Sequence, residues 1–158
     1  MRPAKIPIRH ATPEDIGGIS IVRASVRENL QSSEQLIAMG ITPASVAASL
    51  VNECRGWVAE DGGRIVAFSI ADRETSAIFA LFVLPEYEGL GLGTRLLTRA
   101  TQWLWNQHAD LLWLTTGAGT RAARFYERAG WRHIETDAKG EIRFELKRPV
   151  RSRSFRDL

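Results

Sequence analysis

Cysteine is nearly absent from this 158-residue chain, and Cys54 is the only one. An intrachain disulfide is excluded, and so is a metal site built from several thiolates. A reducing compartment, the cytoplasm, is the expected location. Histidine is almost as scarce: His10, His108 and His133 are dispersed and match no metal-ligating pattern. Long apolar runs are also lacking, so no bilayer-spanning helix is expected. The start, MRPAKIPIRH, has basic residues without an apolar stretch behind them, which argues against a secretory signal. Finally, the body lacks excess charge. The formal net charge is +3, but Lys147, Arg148, Arg151, Arg153 and Arg156 against Asp157 place +4 at the C-terminal end and leave −1 for residues 1–146. A nucleic-acid binder would carry its basic patch on the folded body, so nucleic acid is not an expected partner. Residues 147–158 read as a basic, flexible tail.

What is present suits one soluble domain over residues 1–146: 44% apolar and 25% charged residues in a length that supports a single core. Residues 6–9 read as a first strand. Thr12-Pro13-Glu14-Asp15 reads as a helix start, with Ile16, Ile19, Val22 and Val26 continuing it to about Asn29. A short helix from Ser33 ends at Gly40, and Thr42-Pro43 opens another through Ala48 and Leu50. Strands from Trp57 and from Arg64 flank the turn Asp61-Gly62-Gly63. Residues 77–84 are almost continuously apolar, which predicts a central strand covered on both faces. A helix from Thr94 to about His108, a buried strand at 111–114, a helix within 119–129 with Ala122 and Phe125 facing inward, and a closing hairpin around Asp137-Ala138-Lys139-Gly140 complete a mixed α/β order. His108 is expected at a helix C-terminus, interacting with the dipole.

Glu88-Gly89-Leu90-Gly91-Leu92-Gly93-Thr94 lies between the apolar strand and the amphipathic helix. Alternate glycines let the backbone approach a ligand closely. The helix behind them offers unpaired N–H groups and the positive end of its dipole. Together these suit a phosphate or diphosphate. A nucleoside-triphosphate loop is excluded because no Gly-Lys-Ser or Gly-Lys-Thr follows, and a dinucleotide fingerprint fits poorly this far from the domain start.

Residues 81–97, LFVLPEYEGLGLGTRLL, resemble the acyl-CoA binding motif of the GCN5-related N-acetyltransferase (GNAT) superfamily, and residues 119–131, GTRAARFYERAGW, resemble its later helix. The resemblance extends over residues 6–146. It implies a mixed, mostly antiparallel central sheet flanked by helices, acetyl-CoA as cosubstrate without a metal, and transfer of an acetyl group to a primary amine of a small molecule or protein. It also implies that the backbone of Glu88, Gly89, Leu90, Gly91, Leu92, Gly93 and Thr94 holds the CoA diphosphate, and that Phe82 and Val83 contact pantetheine and the thioester. The resemblance implies that the Tyr126 hydroxyl faces the CoA sulfur, as acid for the leaving thiolate; a boundary tyrosine with a packed ring is the structural alternative. Where the motif usually has Arg or Gln, this chain has Glu88, whose side chain is therefore expected to point away, with Arg95 a candidate to offset its charge. The central strand lacks the carboxylate that many relatives use as a base. Glu60, Asp72, Glu74, Glu28 and Arg27 are the remaining polar candidates near the cleft or acceptor, and loss of the amine proton to water is the alternative to a base. Cys54 has no histidine beside it and reads as inert. The partners expected are an amine acceptor and at most a second copy of the chain in a homodimer, with no membrane. A non-catalytic CoA sensor on the same fold is the competing reading.

Deleting residues 149–158 is expected to leave thermal stability and CoA affinity unchanged. A large fall in the melting midpoint on truncation would show that the tail is part of the folded body.

Overall fold

The computed structural model describes residues 5–26 and 33–149. Its strands are β1 (Ile8–His10), β2 (Cys54–Asp61), β3 (Arg64–Asp72), β4 (Ala77–Val83), β5 (Leu111–Gly117), β6 (Arg132–Thr136) and β7 (Glu141–Lys147). They form one sheet in the order β1-β2-β3-β4-β5-β7-β6. Every neighbouring pair is antiparallel except β4 with β5. The helices are α1 (Ile16–Ala24), α2 (Ser33–Ala38), α3 (Pro43–Ser49), α4 (Leu92–Asn106) and α5 (Arg121–Arg128). The mixed, mostly antiparallel sheet flanked by helices is thus the architecture of the chain.

The N-terminal signals work as their chemistry dictates. Thr12 has an extended backbone, Pro13 opens a 3₁₀ turn, and α1 follows directly. Asp15 locks this entrance. Its carboxylate accepts two bonds of 2.8 Å from the Arg9 guanidinium and one of 2.8 Å from the Thr12 N–H. Arg9 also reaches Glu60 of β2 at 3.1 Å, so one cation ties β1, β2 and the start of α1. The far part of the helix expected to reach Asn29 lies outside the described residues; α1 itself ends at Ala24.

The two faces of the sheet can be assigned from contacts. Gly18 of α1 sits so close to β3 that an added Cβ would meet Ile65 at 2.8 Å. On the same face Phe68 and Phe82 meet at 5.6 Å, with the Arg23 guanidinium of α1 5.7 Å from the Phe82 ring. On the opposite face the buried Ser69 hydroxyl donates to the Leu96 carbonyl of α4 at 3.2 Å. Leu92, Leu96, Leu97, Ala100 and Leu104 are the buried stripe of α4, as its helical period requires.

Several expectations need correction. The strand at 77–83 is central but not covered on both faces: Phe79 is 42% exposed and Ala80, Leu81, Phe82 and Val83 are half-buried. Its apolar surface faces a cleft as well as a core. The second strand begins at Cys54 rather than Trp57, and Cys54 is buried, with burial pushing its thiol up to about 11. The helix after the glycines begins at Leu92, so Leu92 and Gly93 belong to its first turn. In α5 the buried side chains are Ala123 and Tyr126, while Ala122 and Phe125 are half-buried. His108 stands beyond the end of α4, exposed, with φ 66°.

The body also extends past residue 146. Lys147 completes β7. Arg148 donates to the Trp105 carbonyl at 2.7 Å and to the Ala109 carbonyl at 2.7 and 3.0 Å, with its guanidinium 5.2 Å from the Trp105 ring. It thereby satisfies carbonyls at the end of α4. Lys147 and Arg148, expected in the tail, thus belong to the folded body, and residues 150–158 lie outside the described residues.

Asp15 yields a stability prediction. Hydrogen bonds from Arg9 hold its carboxyl below the usual carboxylate range, so its contribution is full above the unfolded pKa of about 4 and is lost as pH falls through the folded value. Asp15→Asn should cost about 1.5–3 kcal/mol near neutral pH, the scale for bonds to charged groups. Urea melts should show the gap between parent and variant closing on acidification. A gap independent of pH would remove the carboxylate charge as its source.

Candidate active site

The two parallel strands β4 and β5 meet in a single registered pair, Ala77 with Trp113. The Trp113 N–H donates to the Ser76 carbonyl at 3.2 Å, and its indole N–H donates to the Thr75 carbonyl at 2.9 Å. Beyond that point β4 continues to Val83 and β5 to Gly117 without further pairing. The strands part, and the edge of β4 facing β5 is left without a ladder. Backbone groups on such an edge need another partner, either water or a ligand. Near the parting β4 also carries a bulge: Ala71 pairs with Ile78 and Ile70 with Ala80, which leaves Phe79 as the extra residue.

The glycine segment closes the wide end of this cleft. Gly89 and Gly91 have φ of 78° and 82°, the left-handed region that favours glycine. An added Cβ at either would meet nothing within 4 Å, so the space in front of them is open. Among the described residues, no protein acceptor is found for the N–H groups of Gly89, Leu90, Gly91, Leu92, Gly93 or Thr94; the first N–H of this region to find one is that of Arg95, which donates to the Gly91 carbonyl at 3.1 Å. Consecutive unpaired donors and the N-terminal dipole of the 15-residue α4 make an anion cradle. The open cleft leading to a set of unpaired N–H groups fits a molecule with an extended arm and a diphosphate, which is what CoA presents.

Val83 and Phe125 frame the cradle from within. A Cβ placed on Gly93 would stand 3.6 Å from the Phe125 ring of α5 and 4.0 Å from Val83. Val83 thus faces α4, and Phe82 faces α1, where it stacks on Phe68. Glu88 does turn its side chain to another protein group. Its carboxylate lies 3.2 Å from Arg121, the first residue of α5. Arg95, the candidate to offset that charge, instead donates to the Ile6 carbonyl at 2.7 Å.

Tyr126 is 5% exposed and ringed by Phe125, Trp131 and Phe144, with centroids 5.2, 5.9 and 6.0 Å away. Burial raises its phenol well above the ordinary value of ten. No fully buried side-chain nitrogen or oxygen among the described residues lacks a partner. The Tyr126 hydroxyl has no hydrogen bond to a described residue, so it retains the residue's sliver of access.

The polar candidates for deprotonating an amine are not brought together. Glu60 pairs with Arg9, while Asp72 accepts from the Glu74 N–H in the turn after β3. Arg27 and Glu28 lie outside the described residues. Among the described residues, no group of three or more His, Cys, Asp or Glu could hold a metal, and no helix is long and apolar enough to cross a membrane.

The acetyltransferase (GNAT) family model matches residues 25–131. The chain belongs to this family. An N-acetyltransferase of Archaeoglobus fulgidus, itself uncharacterized, is 33% identical over 97 residues, covering 60% of this chain and 64% of that protein, a little under two thirds of its length. Among solved structures, the PaiA N-acetyltransferase of Thermoplasma acidophilum in complex with coenzyme A superposes with a TM-score of 0.78 at 18% identity, over 92% of this chain and all of that one. An acetyltransferase of the GNAT family from Staphylococcus aureus gives 0.75 at 17% identity, over 90% of this chain and 99% of that one. At such identities the superpositions establish the fold alone.

Two features near the parted strands and the glycine segment escaped the sequence reading, the Arg121 partner of Glu88 and the exposed bulge residue Phe79. Arg121 lies inside the second motif without a pattern to mark it as a partner for Glu88. Phe79 reads as one more core residue in an apolar run, since a bulge leaves no sequence signature there.

Gly91→Asp is expected to keep the fold and lose CoA. The left-handed position costs a non-glycine residue about 1–2 kcal/mol. The added carboxylate at the cradle should cut affinity by roughly tenfold or more, since like charges a few ångströms apart repel by several kcal/mol at intermediate dielectric. Calorimetric titration with CoA, alongside circular dichroism, measures both; undiminished affinity in a folded variant would refute the cradle.

Proposed function

We propose that this GNAT-family protein transfers an acetyl group from acetyl-CoA to a primary amine of a small molecule or peptide. The observation that supports this reading most is the parting of β4 from β5 in front of the unpaired N–H groups of residues 89–94. In this reading those N–H groups hold the diphosphate, and the free edge of β4 at Phe82 and Val83 guides the pantetheine arm. Acetyl-CoA supplies an acyl thioester. The neutral amine attacks its carbonyl carbon, a C–N bond forms and the C–S bond breaks, the amine nitrogen gives up a proton, and the CoA thiolate takes one.

Tyr126 is the proposed donor to the departing thiolate. Its raised pKa keeps it protonated at all physiological pH values. In water a phenol near 10 is a weaker acid than a thiol near 8.5 by about 2 kcal/mol, and burial raises the Tyr126 phenol further, so full transfer is uphill by more than that. A thiolate leaving into an apolar cleft is itself made more basic by desolvation, which brings the two closer. Even a hydrogen bond short of full transfer would stabilise the leaving group. No described carboxylate is placed as base, and proton loss through water is consistent with an exposed cleft.

Tyr126→Phe preserves the ring packing and removes only the hydroxyl. Single-turnover acetyl transfer, with saturating donor and a verified acceptor, should slow by roughly 10²-fold while CoA affinity changes little. A folded variant that binds acetyl-CoA and transfers at the parental rate would take Tyr126 out of the chemistry. A parent that binds acetyl-CoA yet releases no thiol with any amine in a broad panel would favour the sensor.

A further inference from the structure

The gap between β4 and β5 is walled by neutral side chains. The strands read AIFALFV from Ala77 to Val83 and LLWLTTG from Leu111 to Gly117, without a charged residue in either. A donor arm laid along β4 past Val83 and Phe82 carries its thioester toward the closed end of the gap. Phe79 stands there. It is the bulge residue, two positions beyond the last registered pair, and it is 42% exposed. An aromatic side chain so open to solvent beside the reacting end is available to a second substrate.

The charged groups around the gap are engaged elsewhere. The carboxylates of β7, Glu141 and Glu145, belong to a strand that β5 separates from the gap. Glu145 is also paired with Arg143 at 3.0 Å, and that guanidinium lies 4.4 Å from the Trp113 ring. At the closed end Asp72 accepts from the N–H of Glu74, itself exposed in the turn. At the mouth Glu88 meets Arg121. From α4, Arg95 is turned to the Ile6 carbonyl, and α5 contributes the Tyr126 phenol. The group that α1 sets against the β4 wall is the Arg23 guanidinium, beside Phe82.

An ammonium ion entering between these walls gives up hydration and meets apolar surface and a cation. A neutral amine gives up far less, and the neutral form is also the nucleophile. At pH 7 about one in eight α-amino groups with a pKa near 7.8 is neutral, against about one in 2,500 lysine side-chain amines, a difference of roughly 300-fold. We propose that the acceptor is a weakly basic primary amine next to an apolar or aromatic group, captured in its neutral form, and that Phe79 is the specificity residue that holds that group. This rests on the acetyl-transfer reading above and adds the class of amine. A peptide N-terminus and a small α-amino amide share this chemistry.

The test measures kcat/KM for thiol release from acetyl-CoA between about pH 6 and 10, with Phe-Ala amide, Gly-Ala amide and N-acetyl-lysine amide as acceptors. Phe-Ala amide should exceed the lysine amine by roughly 100-fold or more at pH 7, and its profile should rise with unit slope and level off near its own pKa of about 8, while the lysine profile still rises at about pH 10. Preference for the lysine amine, or one inflection shared by all acceptors, reports a proton acceptor on the enzyme and overturns the proposal. Phe79→Ala should lower kcat/KM for Phe-Ala amide by roughly tenfold or more, the scale of one apolar side chain held in contact. Gly-Ala amide and the Kd for CoA should not change, and Phe79→Leu should keep most of the preference for Phe over Gly. An unchanged rate, or an equal loss with both dipeptides, would overturn the role of Phe79. Phenylalaninamide separates the two sources: parity with Phe-Ala amide assigns a small amine, a large deficit assigns a chain N-terminus, and the proposal holds in both. Transfer to the lysine amine alone leaves the acetyl-transfer reading standing and removes this inference. A parent that binds acetyl-CoA and releases no thiol with any amine removes both.

Discussion

The structure turns on one backbone decision: β4 and β5 stop pairing after Ala77 and Trp113. A parallel pair in the middle of a sheet ordinarily continues, because each unpaired N–H or C=O costs free energy when it is cut off from water. Here Trp113 secures the apex through its backbone and its indole N–H, with the Arg143 guanidinium 4.4 Å from its ring. Ser76, whose carbonyl accepts from Trp113, stands at φ 60°, a conformation that costs a non-glycine residue about 1–2 kcal/mol. The strained turn and the indole clamp hold the strands together at one end while they separate at the other. The proposed donor site follows the gap. Its β4 edge offers backbone groups, its wide end faces the first turn of α4, and α5 begins on its far side.

Each half on either side of the gap has its own bracing within one continuous core. β1 to β4 carry the core between α1 and α4, where the Gly18 approach and the Ser69 bond to Leu96 set the spacing. β5, β7 and β6 carry a second part of the core, in which Leu112, Leu114, Phe144 and Tyr126 are buried. Arg148 then fastens the end of β7 to the end of α4. The same packing that braces the second half buries Tyr126. Its low exposure accordingly serves stability whatever its hydroxyl does, and a variant that keeps the ring is needed to separate the two roles.

Charge at the cleft mouth is organised locally. The described body is close to neutral, and the carboxylate of Glu88 is answered by Arg121 rather than by Arg95, its near neighbour in sequence. The helix explains why. Arg95 sits in the first turn of α4, where its side chain reaches back to the chain ahead of β1. Arg121 leads α5 toward the glycine segment from the other lip, where the Phe125 ring stands 3.6 Å from the Cβ position of Gly93.

By itself the sequence determined what depends on local chemistry. Thr12-Pro13 and Thr42-Pro43 start helical segments because an extended cap and a fixed φ suit the first turn. Gly62 and Gly63 turn the first hairpin with positive φ, and the alternate glycines before an amphipathic stretch announce a helix preceded by a close backbone approach. The two motifs were enough for the family. Tertiary structure alone decided the rest. The apolar pattern of residues 77–83 is the same whether a strand is covered on both faces or borders a cleft, so the exposure of Phe79 and the bulge beneath it had no local signal. The burial of Tyr126 rather than Phe125 depends on how α5 rolls onto β7. The partner of Glu88 lies on an element that folds back across the sheet, and long-range ion pairs of that kind are chosen by the fold, since nothing in the spacing of residues 88 and 121 brings them together.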